Sequence, residues 1–172
     1  TQHRLHEKNA LLKGGIGVAP FREVGSLSDL QEAAGDLGFP MVLKTATHGY
    51  DGKGQVIITR VEDLEQSYEV LSAHGTELIV EQFVPFKMEI STICARTSDG
   101  KTATFPPSEN IHRNHILDIS IVPARLPDSV IENARLLAAD IAVQLNVVGL
   151  IAVEMFITKE NEILVNELAP RP

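Results

Sequence analysis

Two glutamates near the end of the chain, Glu154 and Glu167, stand in otherwise apolar runs: Ile151, Ala152, Val153, Met155 and Phe156 around the first, Ile163, Leu164 and Val165 before the second. If a two-residue turn at Glu160-Asn161 joins these runs, residue 159 pairs with 162 and residue 154 with 167. Opposed carboxylates with Cβ atoms about 4.5–5.5 Å apart repel each other unless something sits between them. A divalent cation would relieve the pair, and Mg²⁺ favours one or two carboxylates together with substrate phosphates. Asn166 adds an oxygen beside them. The plainer alternative, two glutamates on a solvated hairpin face, is opposed by the apolar flanks. Lys44 interrupts a second apolar run, Val42-Leu43-Lys44-Thr45, where an ammonium either snorkels from a strand edge or meets an anion such as phosphate.

The segment Gly49-Tyr50-Asp51-Gly52-Lys53-Gly54-Gln55 lies just beyond that lysine. Its glycines free backbone amides to face a bound anion, although a simple turn on Asp51-Gly52 would use the same residues. The spacing matches neither the P-loop nor the dinucleotide fingerprint. A fourth run, Glu109-Asn110-Ile111-His112-Arg113-Asn114, follows Pro106-Pro107 and reads as a polar loop. His112 has no second His or Cys at ligand spacing and is not read as a metal ligand.

These residues need elements to hold them. Residues 2–13 read as a helix with Leu5, Ala10, Leu11 and Leu12 on its apolar side. Ser28 is a candidate cap for a helix over 29–37, closed by Gly38 and Pro40. Strands are predicted at 41–45, 55–60 and 77–83, with an amphipathic helix at 61–74. Further on, strands at 88–96 and 102–105 flank a hairpin signal at Asp99-Gly100. A long helix spans 128–145, and residues 148–157 and 162–168 form a closing hairpin. The pattern predicts a small α+β lobe followed by a larger antiparallel α+β lobe.

Composition narrows the partners. Lys and Arg number 15 against 23 Asp and Glu, for a net charge of −8. That acidic balance, without a basic run, excludes sequence-independent nucleic-acid binding, which needs positive charge to displace counterions. No stretch has the roughly 20 apolar residues of a membrane span. The single Cys94 excludes a disulfide framework and suggests a reducing, cytoplasmic setting. The absence of an initiating Met and the abrupt end at Pro172 predict a domain cut from a longer protein.

Six runs together resemble a known family from end to end: Arg4-Leu5-His6-Glu7-Lys8, Val42-Leu43-Lys44-Thr45, Gly49 through Gln55, Ile79-Val80-Glu81-Gln82-Phe83-Val84, Glu109 through Asp118, and Val165-Asn166-Glu167-Leu168-Ala169-Pro170-Arg171. The chain resembles the ATP-grasp domain of the N5-carboxyaminoimidazole ribonucleotide synthetase family. The resemblance implies an α+β ATP-grasp fold of two lobes with the nucleotide between them. Residues 1–20 would be an entry helix and linker, 21–80 a small lobe with a glycine-rich lid, and 81–172 a large lobe with a metal-binding hairpin. The family's N- and C-terminal flanking domains are absent from this sequence, so the fragment alone is expected to be inactive.

The resemblance also implies roles. Lys44, His112 and Arg171 would be catalytic. Arg4, Lys44 and the lid residues Gly49, Tyr50, Asp51, Gly52, Lys53, Gly54 and Gln55 would bind ATP. Glu81, Gln82, Phe83 and Val84 would read adenine, Glu89 would meet the ribose, and His112, Asn166 and Glu167 would complete the nucleotide site. Tyr50, Asp51, Lys53 and His112 would touch aminoimidazole ribonucleotide. Glu154 and Glu167 would hold Mg²⁺ or Mn²⁺. The implied reaction carboxylates aminoimidazole ribonucleotide with bicarbonate at the expense of ATP, in a cytoplasmic protein that is a homodimer at full length. His48 and His115 stand where the family commonly has glycine. The alternatives are another ATP-grasp ligase, of the formate-dependent glycinamide ribonucleotide transformylase or biotin carboxylase type, and a non-catalytic ATP-binding module.

Overall fold

The computed structural model describes residues 3–47, 54–73 and 75–171. In chain order the elements are α1 (Arg4–Lys13), β1 (Phe21–Val24), α2 (Leu27–Leu37), β2 (Met41–Thr45), β3 (Gln55–Ile58), α3 (Leu64–Ser72), β4 (Leu78–Gln82), β5 (Met88–Arg96), β6 (Thr102–Thr104), β7 (Ser108–Arg113), β8 (Ile116–Ile121), α4 (Asp128–Gln144), β9 (Gly149–Ile157) and β10 (Ile163–Arg171). They divide into two units, Gln2–His6 with Ala19–Val84, and Glu7–Val18 with Pro85–Pro172.

The first of these units is a four-stranded antiparallel sheet, ordered β1-β4-β2-β3. Strand alternation sends Met41, Leu43, Leu78 and Val80 to one face, where Leu30, Ala33 and Leu37 of α2 and Leu64 of α3 close the core. Val42, Lys44, Ile79 and Glu81 occupy the opposite face. The cap of α2 is Ser26, not Ser28: its side chain accepts from the Asp29 N–H, so the helix begins two residues earlier than expected. The helix expected from residue 61 opens as a 3₁₀ turn, Val61–Asp63, before α3.

The second unit carries a sheet ordered β10-β9-β5-β7-β8, with β6 also on β5. α4 packs on β5, β6 and β9 through Val130, Ala134, Ala138, Ile141 and Ala142. Ile90, Cys94, Ile151, Val153, Met155 and Ile157 are buried strand residues of this sheet, and burial pushes the Cys94 thiol up from its ordinary value. Two local expectations fail here. The Asp99-Gly100 connection is longer than two residues: Thr97 N–H donates to Lys101, and Gly100 sits at φ +89°. The run 109–114 is a strand rather than a loop. It turns through Asn114 and His115, both at positive φ, in the geometry of a type I′ hairpin.

Candidate functional site

In the second unit, β5, β7, β9 and β10 present one polar face. Register pairs Glu167 with Glu154, Glu154 with Ser91, and Ser91 with Ser108. The opposition of the two glutamates is reached by a route the sequence reading did not foresee. The β9–β10 turn is not two residues: Thr158 N–H donates to Glu162, and Ile157 pairs with Ile163. Continued unbroken, that register would set Asn166 against Glu154. A β-bulge between Val165 and Glu167 shifts the register by one and sets Glu167 there instead.

Glu154's carboxyl is pushed up from its ordinary value, first by burial and then by the negative charge of Glu167. Arg171 and His112 act in the opposite direction, and Glu89 adds a smaller upward push. Five residues singled out in the sequence (Glu89, His112, Glu154, Glu167 and Arg171) therefore act within one electrostatic neighbourhood. Glu89 and His112 pair directly, Oε2 to Nδ1. An open pocket of about 240 Å³ is lined by Phe86, Met88, Glu89, Asn110 and His112, and Phe86 stacks on Phe156 with ring centroids 4.6 Å apart.

A hydroxyl–amide network on β5, β7 and β8 was not foreseen. Asn110 Nδ2 donates to Ser91 Oγ at 2.9 Å, and its Oδ1 accepts from Ser108 and Ser120. Alternation within the run Ser108-Glu109-Asn110 was the available signal. On the other side of that alternation, Glu109 is buried and pairs with Arg125 through two bonds of 2.8 and 2.6 Å, which hold its carboxyl below the ordinary value.

The first unit places Lys44 and Glu81 together. They lie on one face of β2 and β4, offset by one pair, and Lys44 Nζ meets Glu81 Oε2 at 3.0 Å with both side chains largely buried. Gln55 is the register partner of Lys44 on β3. Arg4 donates to the Thr45 carbonyl at 3.0 Å, and Thr45 N–H closes on Gly54, whose φ is +73°. Gln82 N–H donates to Pro20 and Phe83 N–H to Pro40. Gly49, Tyr50, Asp51, Gly52 and Lys53 lie outside the described residues.

Two further residues were missed. Glu7 and Lys8 of α1 are buried, and both reach β10: Glu7 Oε1 accepts from Leu168 N–H at 2.9 Å, and Lys8 Nζ lies 3.5 Å from the Asn166 carbonyl. Burial pushes the Glu7 carboxyl up to about 7, with Glu167 adding to the push and the Leu168 bond opposing it. Helical spacing held the signal, since Lys8 falls three residues from both Leu5 and Leu11, on the side that carries them inward. Leu12, expected on that side, is exposed.

The donor set, two carboxylates in register with one of them desolvated and raised by the other, is of the kind that suits a hard divalent cation. Among the described residues no group of three or more His, Cys, Asp or Glu is placed to hold a metal ion. No described helix is long and apolar enough to cross a membrane.

Residues 9–172 match the ATP-grasp domain family. The chain is 49% identical over 172 residues to the N5-carboxyaminoimidazole ribonucleotide synthase of Bacillus subtilis, covering all of this chain and 45% of that protein. It superposes on an N5-carboxyaminoimidazole ribonucleotide synthetase solved with ADP at a TM-score of 0.94 and 47% identity, covering 100% of this chain and 45% of that one. An Aspergillus clavatus synthase solved with ADP and 5-aminoimidazole ribonucleotide gives a TM-score of 0.89 at 27% identity, over 98% of this chain and 44% of that one. The chain thus spans somewhat under half the length of the relatives it matches.

Proposed function

The chain belongs to the ATP-grasp family, and from that premise we propose that it carries the ATP-activating chemistry of an N5-carboxyaminoimidazole ribonucleotide synthase. The observation that carries this reading is the opposition of Glu154 and Glu167 on a sheet face shared with Glu89, His112 and Arg171. The 49% identity along the whole chain supports the choice of substrate.

In this reading a bicarbonate oxygen attacks the γ-phosphorus of ATP, the bond to the β,γ-bridging oxygen breaks, and ADP leaves. The carboxyphosphate so formed gives its carboxyl carbon to the exocyclic amine of 5-aminoimidazole ribonucleotide, directly or through CO₂. The amine proton passes to the departing phosphate. Little covalent work falls to the protein, whose task is charge neutralisation and exclusion of water from a labile intermediate.

Lys44 serves the phosphates as a compact charge held ready by Glu81, with Arg4 fixed beside it on the Thr45 carbonyl. Gly49 through Gln55 closes over the phosphates, and its residues Tyr50, Asp51 and Lys53 meet the ribonucleotide. Glu81 through Val84 reads adenine through its backbone. Glu89 takes the ribose hydroxyls while its bond to His112 orients that ring toward the reacting groups. Arg171 works beside the glutamates, and Asn166 adds its oxygen. Glu154 and Glu167 would hold Mg²⁺ or Mn²⁺, which would supply charge neutralisation for the transferred phosphoryl group. The same reading makes the intact protein a cytoplasmic homodimer.

The test is phosphate release from Mg·ATP by the intact protein with two substrate pairs, bicarbonate with 5-aminoimidazole ribonucleotide and formate with glycinamide ribonucleotide. Release that needs the first pair and collapses in Lys44→Ala is the expected result. Release with the second pair alone moves the chain to the transformylase branch, and nucleotide binding without release under either pair makes it a non-catalytic binder.

A further inference from the structure

Within the first unit, the opening turn of α1 is tied to the residues that end β2 and lead into β4. His3 Nε2 meets Glu77 Oε2 at 2.6 Å. The Glu77 carbonyl accepts from Ala46 N–H at 2.7 Å, and the Ala46 carbonyl accepts in turn from Arg4 N–H at 2.8 Å. His3 and Arg4 are neighbours in the chain, so the three bonds close a circuit. From that circuit the Arg4 side chain reaches the Thr45 carbonyl at 3.0 Å, one residue from Lys44.

Two of the three bonds join backbone to backbone and form whatever the side chains are. The third needs an N–H at residue 3 and an acceptor at residue 77, so it is where side-chain chemistry specifies the circuit. A carboxylate has no proton to give, so Nε2 donates and Glu77 selects that tautomer. His3 Nδ1 is shielded from solvent with no hydrogen-bond partner among the described residues, which agrees with a nitrogen that carries no proton. The imidazole also stacks on His6, with centroids 4.1 Å apart and planes 15° from parallel. It is therefore held at one edge by Glu77 and on one face by His6.

We propose that His3 is a positioning residue: through Glu77 it fixes the first turn of α1 so that the Arg4 guanidinium stays on the Thr45 carbonyl, beside Lys44. The inference rests on the reading of Arg4 and Lys44 as nucleotide-binding residues. His3 has no part in that binding except through its neighbour.

The test measures ADP affinity in the intact protein for His3→Ala, Glu77→Ala, Glu77→Gln, Arg4→Met and the double variant of His3→Ala with Arg4→Met. The Glu77 side chain is 67% exposed, so truncating it strands no buried charge, and its carbonyl still meets Ala46. His3→Ala and Glu77→Ala break one bond from its two ends. Each is expected to weaken ADP binding by about threefold, the size of effect that a partly exposed pair supports. Glu77→Gln keeps an acceptor oxygen and is expected to bind like the parent. Arg4→Met is expected to weaken binding on its own, and adding His3→Ala to it to cost nothing more. A His3 loss that persists undiminished without Arg4 overturns the inference, since a general loosening of the fold acts with or without the guanidinium. Parent-like affinity in His3→Ala and Glu77→Ala, with Arg4→Met weakened, overturns it and leaves Arg4 in the site. Parent-like affinity in Arg4→Met defeats the reading of Arg4 itself, and the inference with it. The parent supplies a separate check, because nitrogen NMR that finds the His3 proton on Nδ1 overturns the Glu77 bond with no variant made.

Discussion

Lys44, proposed above to serve the phosphates, also bears on stability through its pairing with Glu81. Their ion pair is drawn from adjacent strands and is largely buried, so removing the ammonium costs both a charged hydrogen bond and the solvation that a buried carboxylate lacks. Lys44→Ala is expected to lower unfolding free energy by about 2 kcal/mol, the usual range for such bonds, in urea titration. An unchanged midpoint would show that the pair contributes nothing to the fold. Its loss of phosphate release must then be measured where the variant remains folded. Glu154 and Glu167 make the opposite case, since two opposed negative charges gain from the removal of either. Glu154→Ala and Glu167→Ala should each leave stability intact or raised and abolish the dependence of ADP affinity on Mg²⁺. Parent-like dependence in both variants would dissolve the metal assignment.

At the scale of elements, the β7–β8 hairpin carries a visible cost. Its two turn residues, Asn114 and His115, both adopt left-handed backbone angles, φ 51° and 65°. Asn tolerates that region, but a Cβ-bearing histidine is held there at roughly 1–2 kcal/mol. His115→Gly is expected to raise stability by about 1 kcal/mol, seen as a higher thermal midpoint, with Glu89–His112 pairing and ADP affinity unchanged. A lower midpoint would mean that the imidazole makes a contact worth more than the strain. The β9–β10 hairpin stores its irregularity differently. Its longer turn and its bulge displace the register in opposite senses, so Glu154 meets Glu167 just as a two-residue turn with no bulge would have arranged.

For the whole molecule, what could be read from sequence depended on how local each cause is. Met41–Thr45 and Met88–Arg96 were legible because strand alternation and apolar content are properties of the segment itself. The strand Ser108–Arg113 was not, because its polar residues are satisfied by Ser91, Ser120 and Arg125 rather than by water. Helical spacing could place Glu7 and Lys8 near the buried side of α1, but not what they meet there, because their partners lie about 160 residues away. The roles of Gly49 through Lys53 rest on sequence alone.

Glu109 extends this to the response of the fold to acid. Arg125 holds its folded carboxyl below the ordinary value of 4.5, so the unfolded chain takes up the proton first as pH falls. The ion pair then contributes stability fully above the ordinary value and loses that contribution as pH drops through the lowered one. Urea midpoints of the parent and of Glu109→Gln should differ by a constant amount above the ordinary value, then converge as pH falls through the lowered one and both carry an uncharged group at this position. A gap that persists undiminished at the acid end would mean that Glu109 stabilises β7 through its shape and hydrogen bonds, and that the charge it shares with Arg125 contributes nothing.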